Sequence, residues 1–319
     1  MTADSDTTYR VVRVERKGCV LLMTAGPRSI PTLIGVAVGD WAYLDEHGQV
    51  AGIKPRTTSI RRLSVGGQAT EQVLAANVDV VAVCAPLEVK VRPGRLERLL
   101  AVAWSSGAQP MLLATKVDLC DPADLPDALA QFGALAPGVD VVPITITDLN
   151  SLDPVRTAVV PDRTLVMLGA SGVGKSSLIN ALLGNESQAT AEIRSDGKGR
   201  HTTAWRELVE LPGGGCLIDT PGLRTVGLGD AQDGVDAVFS DITELTARCR
   251  FSDCRHDSEP GCAISAAIDD GLLDPDRLQR HRKLQRELDY QERRLDARAR
   301  AEHTKQRVAM TKNIRSPRQ

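Results

Sequence analysis

The sequence predicts a multidomain protein in which a parallel α/β domain with a phosphate-binding loop lies between a small β-rich domain and a helical, metal-binding domain. Three observations support this fold class. Apolar runs alternate with helical segments in the middle of the chain, GASGVGKSS follows one of these runs at 169–177, and three cysteines cluster with a histidine at 249–262. The predicted domain boundaries are 1–70, 71–229 and 230–319.

The N-terminal region carries short alternating runs of apolar and polar residues, such as YRVVRVER and DWAYLDE, separated by glycine and proline. Short strands with turn signals between them are typical of a small β-barrel or sandwich. Arg56, Arg61 and Arg62 follow the last of these runs. We interpret the segment that holds them as a polar linker or a nucleic-acid contact.

The central region has the pattern of a parallel sheet with crossover helices. VDVVAVCAP, PMLLATK, VDVVPIT and RTLVMLG are continuous apolar runs, as expected of strands buried on both faces. Helical segments lie between them, near residues 95–107, 121–136 and 151–158. This alternation predicts a parallel α/β sheet. Further along the chain, AWRELVEL and GCLIDTP predict an antiparallel pair joined through PGGG.

The segment GASGVGKSS fits the phosphate-loop pattern G-x-x-x-x-G-K-[ST] and follows an apolar strand. Glycine lets backbone N–H groups close around phosphate oxygens, and the start of the following helix favours negative charge. Lys175 would reach the β- and γ-phosphates as a catalytic group, and Ser176 would bind Mg²⁺. The residues of this predicted loop are Gly169, Ala170, Ser171, Gly172, Val173, Gly174, Lys175, Ser176 and Ser177.

Residues after the loop predict the rest of a nucleotide-hydrolysing site. Asp219 and Gly222 lie in DTPG at the end of an apolar strand, where a carboxylate would hold Mg²⁺ through water and an amide would face the γ-phosphate. Leu223 follows, at the place where Ras-like enzymes carry the glutamine that orients the attacking water. His201, in GRHTT, is the catalytic candidate for that role. Thr203, or else the threonine before it, would complete the Mg²⁺ shell.

Thr115-Lys116-Val117-Asp118 matches T/N-K-x-D, the motif by which GTPases read guanine. Asp118 would accept hydrogen bonds from guanine N1–H and the exocyclic amine, and the Lys116 stem would pack along the base; adenine would leave the carboxylate unpaired. The next strand ends at 144–147, where a backbone contact to the guanine oxygen is expected. Both segments precede the phosphate loop, whereas they follow it in ordinary GTPases. The order therefore predicts a circularly permuted nucleotide domain.

The spacing Cys249-x4-Cys254-x-His256-x5-Cys262 offers three thiolates and one imidazole. Cys₃His is a standard closed, tetrahedral zinc set, which favours a structural over a catalytic role. The surrounding loop RFSDCRHDSEPGC is too polar to build an apolar core, and this is the usual reason for a structural metal. We therefore predict one structural Zn²⁺.

Charge and hydropathy narrow the function classes. No segment approaches the roughly 20 apolar residues of a membrane span, and the N-terminus lacks an apolar signal core, so we expect a cytoplasmic protein without membrane contact. The net charge is −2, yet residues 277–319 hold fourteen Lys/Arg and five Asp/Glu. A basic tail indicates either a polyanionic partner or a solvated helix. No long heptad pattern is present, and a monomer is expected.

Several of these segments together resemble the RsgA (YjeQ) family of GTPases that depend on the small ribosomal subunit. They are GASGVGKSSLINALLG, GKGRHTT, LPGGGCLIDTPGLRTVGL, the Cys/His cluster and IRRLSVGGQATEQVLAANVD. The resemblance implies an N-terminal OB-fold that binds RNA, a circularly permuted GTPase domain that binds GTP or GDP with Mg²⁺, and a C-terminal zinc domain. It assigns Thr115, Lys116 and Asp118 to the base. Two residues depart from the family pattern: Thr115 replaces the commoner asparagine, and Ile146 replaces a small residue.

The resemblance also implies a function. It is late maturation of the small (30S) ribosomal subunit, with GTP hydrolysis stimulated by the subunit and coupled to the release of assembly factors. Two other classes of function are compatible with parts of the sequence. One is a nucleotide-gated RNA-binding module in which hydrolysis is incidental, an interpretation that Leu223 supports. The other is an ATPase or kinase acting on a small molecule, which Asp118 disfavours.

Overall fold

A computed structural model describes residues 7–63, 71–87, 92–184, 207–219 and 231–293. Five residues singled out from the sequence lie outside these ranges: His201, Thr202, Thr203, Gly222 and Leu223. The other predicted site residues lie inside them.

The N-terminal part of the chain forms antiparallel strands, as the alternating runs predict. The first strand pairs with the second along one edge and with the fourth along the other, and the described pairing order is β3-β2-β1-β4-β5. The side chains between these strands form a separate small core that includes Val11, Leu21 and Ile30. The strands are β1 (Thr8–Glu15), β2 (Gly18–Met23), β3 (Gly26–Pro31), β4 (Trp41–Leu44) and β5 (Val50–Ile53).

The arginine-rich segment after β5 belongs to the folded structure. Strand β6 (Ser59–Leu63) pairs antiparallel with β7 (Glu71–Ala76), so strand pairing continues across residue 70, where a domain boundary is predicted. Arg56 makes a two-pronged ion pair with the fully buried Asp40, with N···O distances of 2.7 and 2.8 Å. The interpretation of this segment as a linker is therefore wrong.

The central domain is built on the predicted parallel sheet. Its strand order is β10-β9-β8-β11-β13-β12, and only β12 runs antiparallel to its neighbour in this group. The chain fills one side of the sheet first and then returns to the middle to continue on the other side. The strands are β8 (Val80–Pro86), β9 (Gln109–Thr115), β10 (Asp140–Ile144), β11 (Thr164–Gly169), β12 (Glu207–Glu210) and β13 (Cys216–Asp219).

Helices cover both faces of this sheet. Along β8, Val81 and Val83 face one apolar layer while Val80 and Ala82 face the other, which explains the unbroken apolar run in the sequence. The helices of the central domain are α1 (Pro93–Ser105), α2 (Leu125–Leu135), α3 (Asp153–Ala158) and α4 (Lys175–Leu183). Helices α1 and α2 lie on the first face, and α3 and α4 lie on the second.

The N-terminal strands join the central sheet at its β12 edge. β1 pairs antiparallel with β12 at Arg13 and Glu207. Beside this pairing, the Arg10 guanidinium donates to the Thr164 hydroxyl at 2.8 Å and to the Asn77 carbonyl at 3.0 Å. Thr164 begins the strand that leads to the phosphate loop. The two regions are thus connected by backbone pairing and by a partly buried cation.

The C-terminal region packs on the first face of the central domain. Its helices are α5 (Gln232–Val238), α6 (Ser240–Thr246), α7 (Ala263–Asp269) and a long helix α8 over 275–293. Gly234 in α5 lies so close to the Ala101 carbonyl of α1 that a Cβ there would overlap it. Among the described helices, none is both long and apolar enough to cross a membrane.

A buried ion-pair network joins α8 to α1. Glu97 is fully buried and accepts from Arg280 at 2.9 and 3.0 Å and from Arg277 at 3.2 Å. Arg277 also makes a two-pronged pair with Asp241 and lies over the Phe239 ring, 4.8 Å from its centroid. Arg277 and Arg280, which the sequence places in a tail that either binds a polyanion or is solvated, therefore have carboxylate partners inside the protein.

Candidate nucleotide site and metal centre

The phosphate loop connects the central strand β11 to helix α4. Gly169 has φ +153°, and a Cβ there would lie 2.7 Å from the Cys84 carbonyl of the neighbouring strand. Gly172 and Gly174 have φ +83° and +98°, which side-chain-bearing residues rarely adopt. Glycines at these positions let the backbone wrap closely, and Lys175 begins the helix directly after them. The loop therefore presents amides and a helix N-terminus to one place, as phosphate binding requires.

The lysine and the predicted Mg²⁺ ligands lie around this loop. The Lys175 ammonium donates to the carbonyls of Gly169 at 2.7 Å and Ala170 at 2.6 Å, so it reaches back across the loop. Ser176 is exposed in the first turn of α4. Asp219 ends β13, the strand that pairs with β11. A hydroxyl and a carboxylate on adjoining elements are hard oxygen ligands that suit Mg²⁺.

Thr115, the first residue of the base-reading motif, contacts the phosphate loop. It ends β9, is 5% exposed, and donates its hydroxyl to the Val173 carbonyl at 2.8 Å. The next residue, Lys116, has φ +60° and leads into the short 3₁₀ helix Val117–Leu119. The structure thus connects the base-reading segment directly to the loop, although 58 residues separate Thr115 from Val173 in sequence.

Asp118 is exposed at the same edge of the sheet and is oriented by the next strand. Its Oδ1 accepts from the Thr145 hydroxyl at 2.6 Å, and Thr145 follows β10 directly. The Thr145 N–H in turn donates to Ser151 Oγ at 3.0 Å. Sequence reasoning assigned residues 144–147 to a backbone contact and missed this hydroxyl. The signal that would have found it is a threonine at the carboxyl end of the strand next to β9.

Replacing Thr115 with valine is expected to weaken GTP and GDP binding alike, by about tenfold, because the buried Val173 carbonyl would lose its donor. Thr115→Ser keeps the hydroxyl and should retain most of the affinity. Titration of both variants with fluorescent GDP and GTP, with inosine nucleotides as a base probe, checks this. If Thr115→Val changed only the preference between guanine and hypoxanthine, the side chain would act on the base and not on the loop.

The four predicted metal ligands converge in the C-terminal region. The ligand atoms of Cys249, Cys254, His256 and Cys262 all lie within 4.8 Å of one another. The sulfurs of Cys249 and Cys262 are each 3.5 Å from His256 Nδ1. A tetrahedral zinc with Zn–S of about 2.3 Å and Zn–N of about 2.0–2.1 Å separates sulfur and nitrogen by roughly 3.5–3.6 Å. The arrangement is compatible with zinc.

Two charged side chains contact the backbone of the loop 249–262, which carries the four predicted metal ligands, and sequence reasoning singled out neither. Glu259 accepts the backbone N–H groups of Arg255 at 2.8 Å, Asp257 at 3.0 Å and Ser258 at 3.1 Å. Donation from Arg255 and then from Asp257 lowers the pKa of Glu259 to about 2. On the other side of the loop, Arg282 of α8 donates to the carbonyls of Arg255 and His256.

The strand order and the placement of these motifs define a circularly permuted P-loop GTPase. The segments predicted to read the base follow β9 and β10, the phosphate loop follows β11, and Asp219, the predicted Mg²⁺ ligand, ends β13, all at the carboxyl edge of one sheet. Among solved structures, YloQ, a circularly permuted GTPase, superposes with a TM-score of 0.63 at 24% identity, covering 90% of this chain and 96% of that one. YjeQ from Thermotoga maritima gives 0.62 at 22% identity, covering 88% and 98%.

Sequence comparison identifies the particular family. The family model for the RsgA GTPase matches residues 53–229. Two relatives named small ribosomal subunit biogenesis GTPase RsgA are similar over most of this chain. The protein from Streptomyces coelicolor is 47% identical over 310 residues, covering 93% of this chain and 84% of the relative, and that from Streptomyces avermitilis is 45% identical over 306 residues, covering 92% and 82%. The chain therefore belongs to the RsgA GTPase family, as its motifs predict.

Proposed function

We propose that this protein hydrolyses GTP to GDP and phosphate during late maturation of the small ribosomal subunit, with hydrolysis stimulated by the subunit. The observation that carries the proposal is the convergence of Asp118, Lys175 and Asp219 at one edge of a permuted sheet. It occurs in a chain that is 47% identical to a small ribosomal subunit biogenesis GTPase.

The residues at this edge divide the work of binding and hydrolysis. Lys116 and Asp118 read guanine, while Thr115 holds the phosphate loop against the base-reading segment. The amides of residues 169–177 and the Lys175 ammonium receive the phosphates and offset the charge that develops during transfer. Ser176, Asp219 and Thr203 would hold Mg²⁺, which would offset the negative charge of the phosphates when bound.

His201 is the proposed group that positions the attacking water. Leu223 has no polar atom and cannot take the part that glutamine plays in Ras-like enzymes. A His201→Ala variant should bind small subunits normally but lose stimulated turnover. If hydrolysis were incidental to RNA placement, subunit binding and release would be unchanged in that variant.

The three regions have separate proposed tasks. Residues 1–70 form an OB-fold that contacts rRNA, residues 71–229 are the GTPase domain, and residues 230–319 form a domain stapled by one Zn²⁺ at the Cys₃His cluster. We propose that the protein is a monomer and that it acts in the cytoplasm. Its GTP hydrolysis would accompany the departure of assembly factors from the small subunit. The pairing of β1 with β12 supports the coupling of these tasks, since it joins the N-terminal strands to the GTPase sheet.

The basic residues from 277 onward are candidates for contact with rRNA phosphates, but those at the start of α8 have partners within the protein. Arg277, Arg280 and Arg282 are engaged by carboxylates or carbonyls within the protein, and Leu284 and Leu288 of the same helix are buried. Deleting residues 277–319 would therefore remove part of the core. A test of whether the tail contacts RNA phosphates should therefore remove only residues 294–319, which carry eight Lys/Arg and two Asp/Glu.

Truncation after residue 293 is expected to weaken binding to small subunits and to flatten its salt dependence. Each cation that neutralises an RNA phosphate contributes about 0.7–0.9 to the slope of log K against log[salt], so removing such cations lowers the slope in proportion. Sedimentation of the protein with purified subunits across a salt series measures both quantities. Unchanged affinity and slope would show that the tail neutralises no phosphates.

Turnover of GTP and ATP with and without purified small subunits tests the function itself. Strong stimulation of GTP hydrolysis alone is the expected result. Unstimulated turnover, or equal use of ATP, would contradict the proposed function.

A further inference from the structure

The metal-binding loop contains a strained backbone at its only imidazole ligand. His256 has φ +61°, a left-handed conformation that residues other than glycine adopt uncommonly. Its Nδ1 lies 3.5 Å from the sulfurs of Cys249 and Cys262, so in this backbone conformation the imidazole faces the other predicted ligands. Such a conformation persists only when neighbouring contacts hold it.

The backbone N–H groups on either side of His256 donate to one carboxylate, that of Glu259. Both oxygens of Glu259 are used: Oε1 accepts from the N–H before His256, on Arg255, and Oε2 accepts from the two N–H groups after it, on Asp257 and Ser258. The carboxylate thus spans the histidine along the backbone. Hydrogen bonds to an ionised carboxylate are stronger than those between neutral groups, and Glu259 accepts three of them.

Contacts on the carbonyl side come from one guanidinium on a different element. Arg282 NH2 donates to the Arg255 carbonyl at 2.7 Å, the His256 carbonyl at 3.0 Å and the Asp257 carboxylate at 2.8 Å. Arg282 belongs to α8, the helix that Arg277 and Arg280 attach to Glu97 of the GTPase domain.

We propose that Glu259 and Arg282 are positioning residues of the zinc centre, which fix the backbone of His256 from its N–H side and its carbonyl side and so set the geometry of the imidazole ligand. The inference rests on the zinc centre proposed above. Outer partners of this kind commonly set metal affinity without touching the metal. Because Arg282 belongs to α8, zinc binding and the packing of α8 against α1 would stabilise each other.

Zinc affinity of the full-length protein tests this proposal. Glu259→Gln and Arg282→Gln keep all four metal ligands, and each is expected to weaken Zn²⁺ binding about 10–100-fold in competition with a chromophoric chelator. The double variant should lose less than the product of the two single losses, since both residues act through the same turn. With Co²⁺ as a spectroscopic probe, both variants should show visible bands displaced from those of the wild type.

Matched controls lie on the same two elements. Asp253→Asn removes an exposed carboxylate of the loop, and Lys283→Gln removes the exposed cation next to Arg282; both should match the wild type in affinity and spectrum. Wild-type affinity and spectra in Glu259→Gln and Arg282→Gln, or equal losses in the controls, would overturn the positioning roles. Loss of helical circular dichroism at saturating zinc would also overturn them. A wild-type protein that binds no zinc would instead overturn the zinc centre itself.

Discussion

Glu97→Ala is expected to lower the free energy of unfolding by about 3–5 kcal/mol, because it leaves two guanidinium groups at a buried site without their shared carboxylate. Glu97 is fully buried, and Arg277 and Arg280 are 8% and 21% exposed. Arg277 keeps Asp241 as a partner, whereas Arg280 keeps only a longer contact of 3.7 Å to Asp274 among the described ion pairs. Chemical denaturation followed by circular dichroism measures the loss.

Glu287→Gln is the matched control for that prediction. It breaks the ion pair between Arg98 and Glu287, which joins the same two helices but is about a third exposed on each side. Partly solvated pairs contribute little, so the control should cost less than about 1 kcal/mol. Equal losses of unfolding free energy in Glu97→Ala and Glu287→Gln would mean that burial of Glu97 does not increase the contribution of its ion pairs to stability.

Lys175→Ala is expected to reduce GTP turnover about 100-fold or more, because the phosphate loop would lose its mobile positive charge at the transferring phosphoryl group. The Lys175 ammonium donates to the carbonyls of Gly169 and Ala170, so it lies against the phosphate loop. Single-turnover hydrolysis with saturating GTP, with and without small subunits, measures the effect.

The stability of the Lys175→Ala protein should change little, since the lysine bonds only add to a loop already shaped by its glycines. Lys283→Ala, which removes an exposed lysine on α8, serves as the control for charge alone. Turnover that survived in Lys175→Ala would show that GASGVGKSS is not the phosphate site.

Much of the central domain could be predicted because its signals are local. The apolar runs located β8 to β11 with small errors at their ends, and the glycine pattern located the phosphate loop. The permuted order followed from the positions of Asp118 and Lys175 in the chain. These features depend on periodicity and spacing, which a single sequence displays.

Features that depend on partners distant in sequence could not be predicted. Glu97, in RLERLLAVA, looks like an ordinary exposed helix residue, yet it accepts from arginines about 180 positions away. Counting charges placed Arg277 in a basic tail that would bind a polyanion or be solvated, because composition does not reveal which cations face a buried carboxylate. The pairing of β1 with β12 was missed for the same reason.

The candidate metal centre contains features of both kinds, some predictable from the sequence and some not. The spacing of Cys249, Cys254, His256 and Cys262 predicted their convergence. Glu259 and Arg282 gave no such signal, since backbone N–H and carbonyl groups, their partners here, leave no trace in the sequence.

Asp118→Asn tests whether the base-reading segment, which precedes the phosphate loop in the chain, serves the same nucleotide site as the loop. The amide oxygen can still accept from Thr145, so the amide N–H would face the base, where guanine presents its own amine and xanthine a carbonyl. We expect GTP affinity to fall about 100-fold or more, with XTP bound and hydrolysed in its place. Unchanged GTP turnover in Asp118→Asn, with no gain for XTP, would contradict the permuted site.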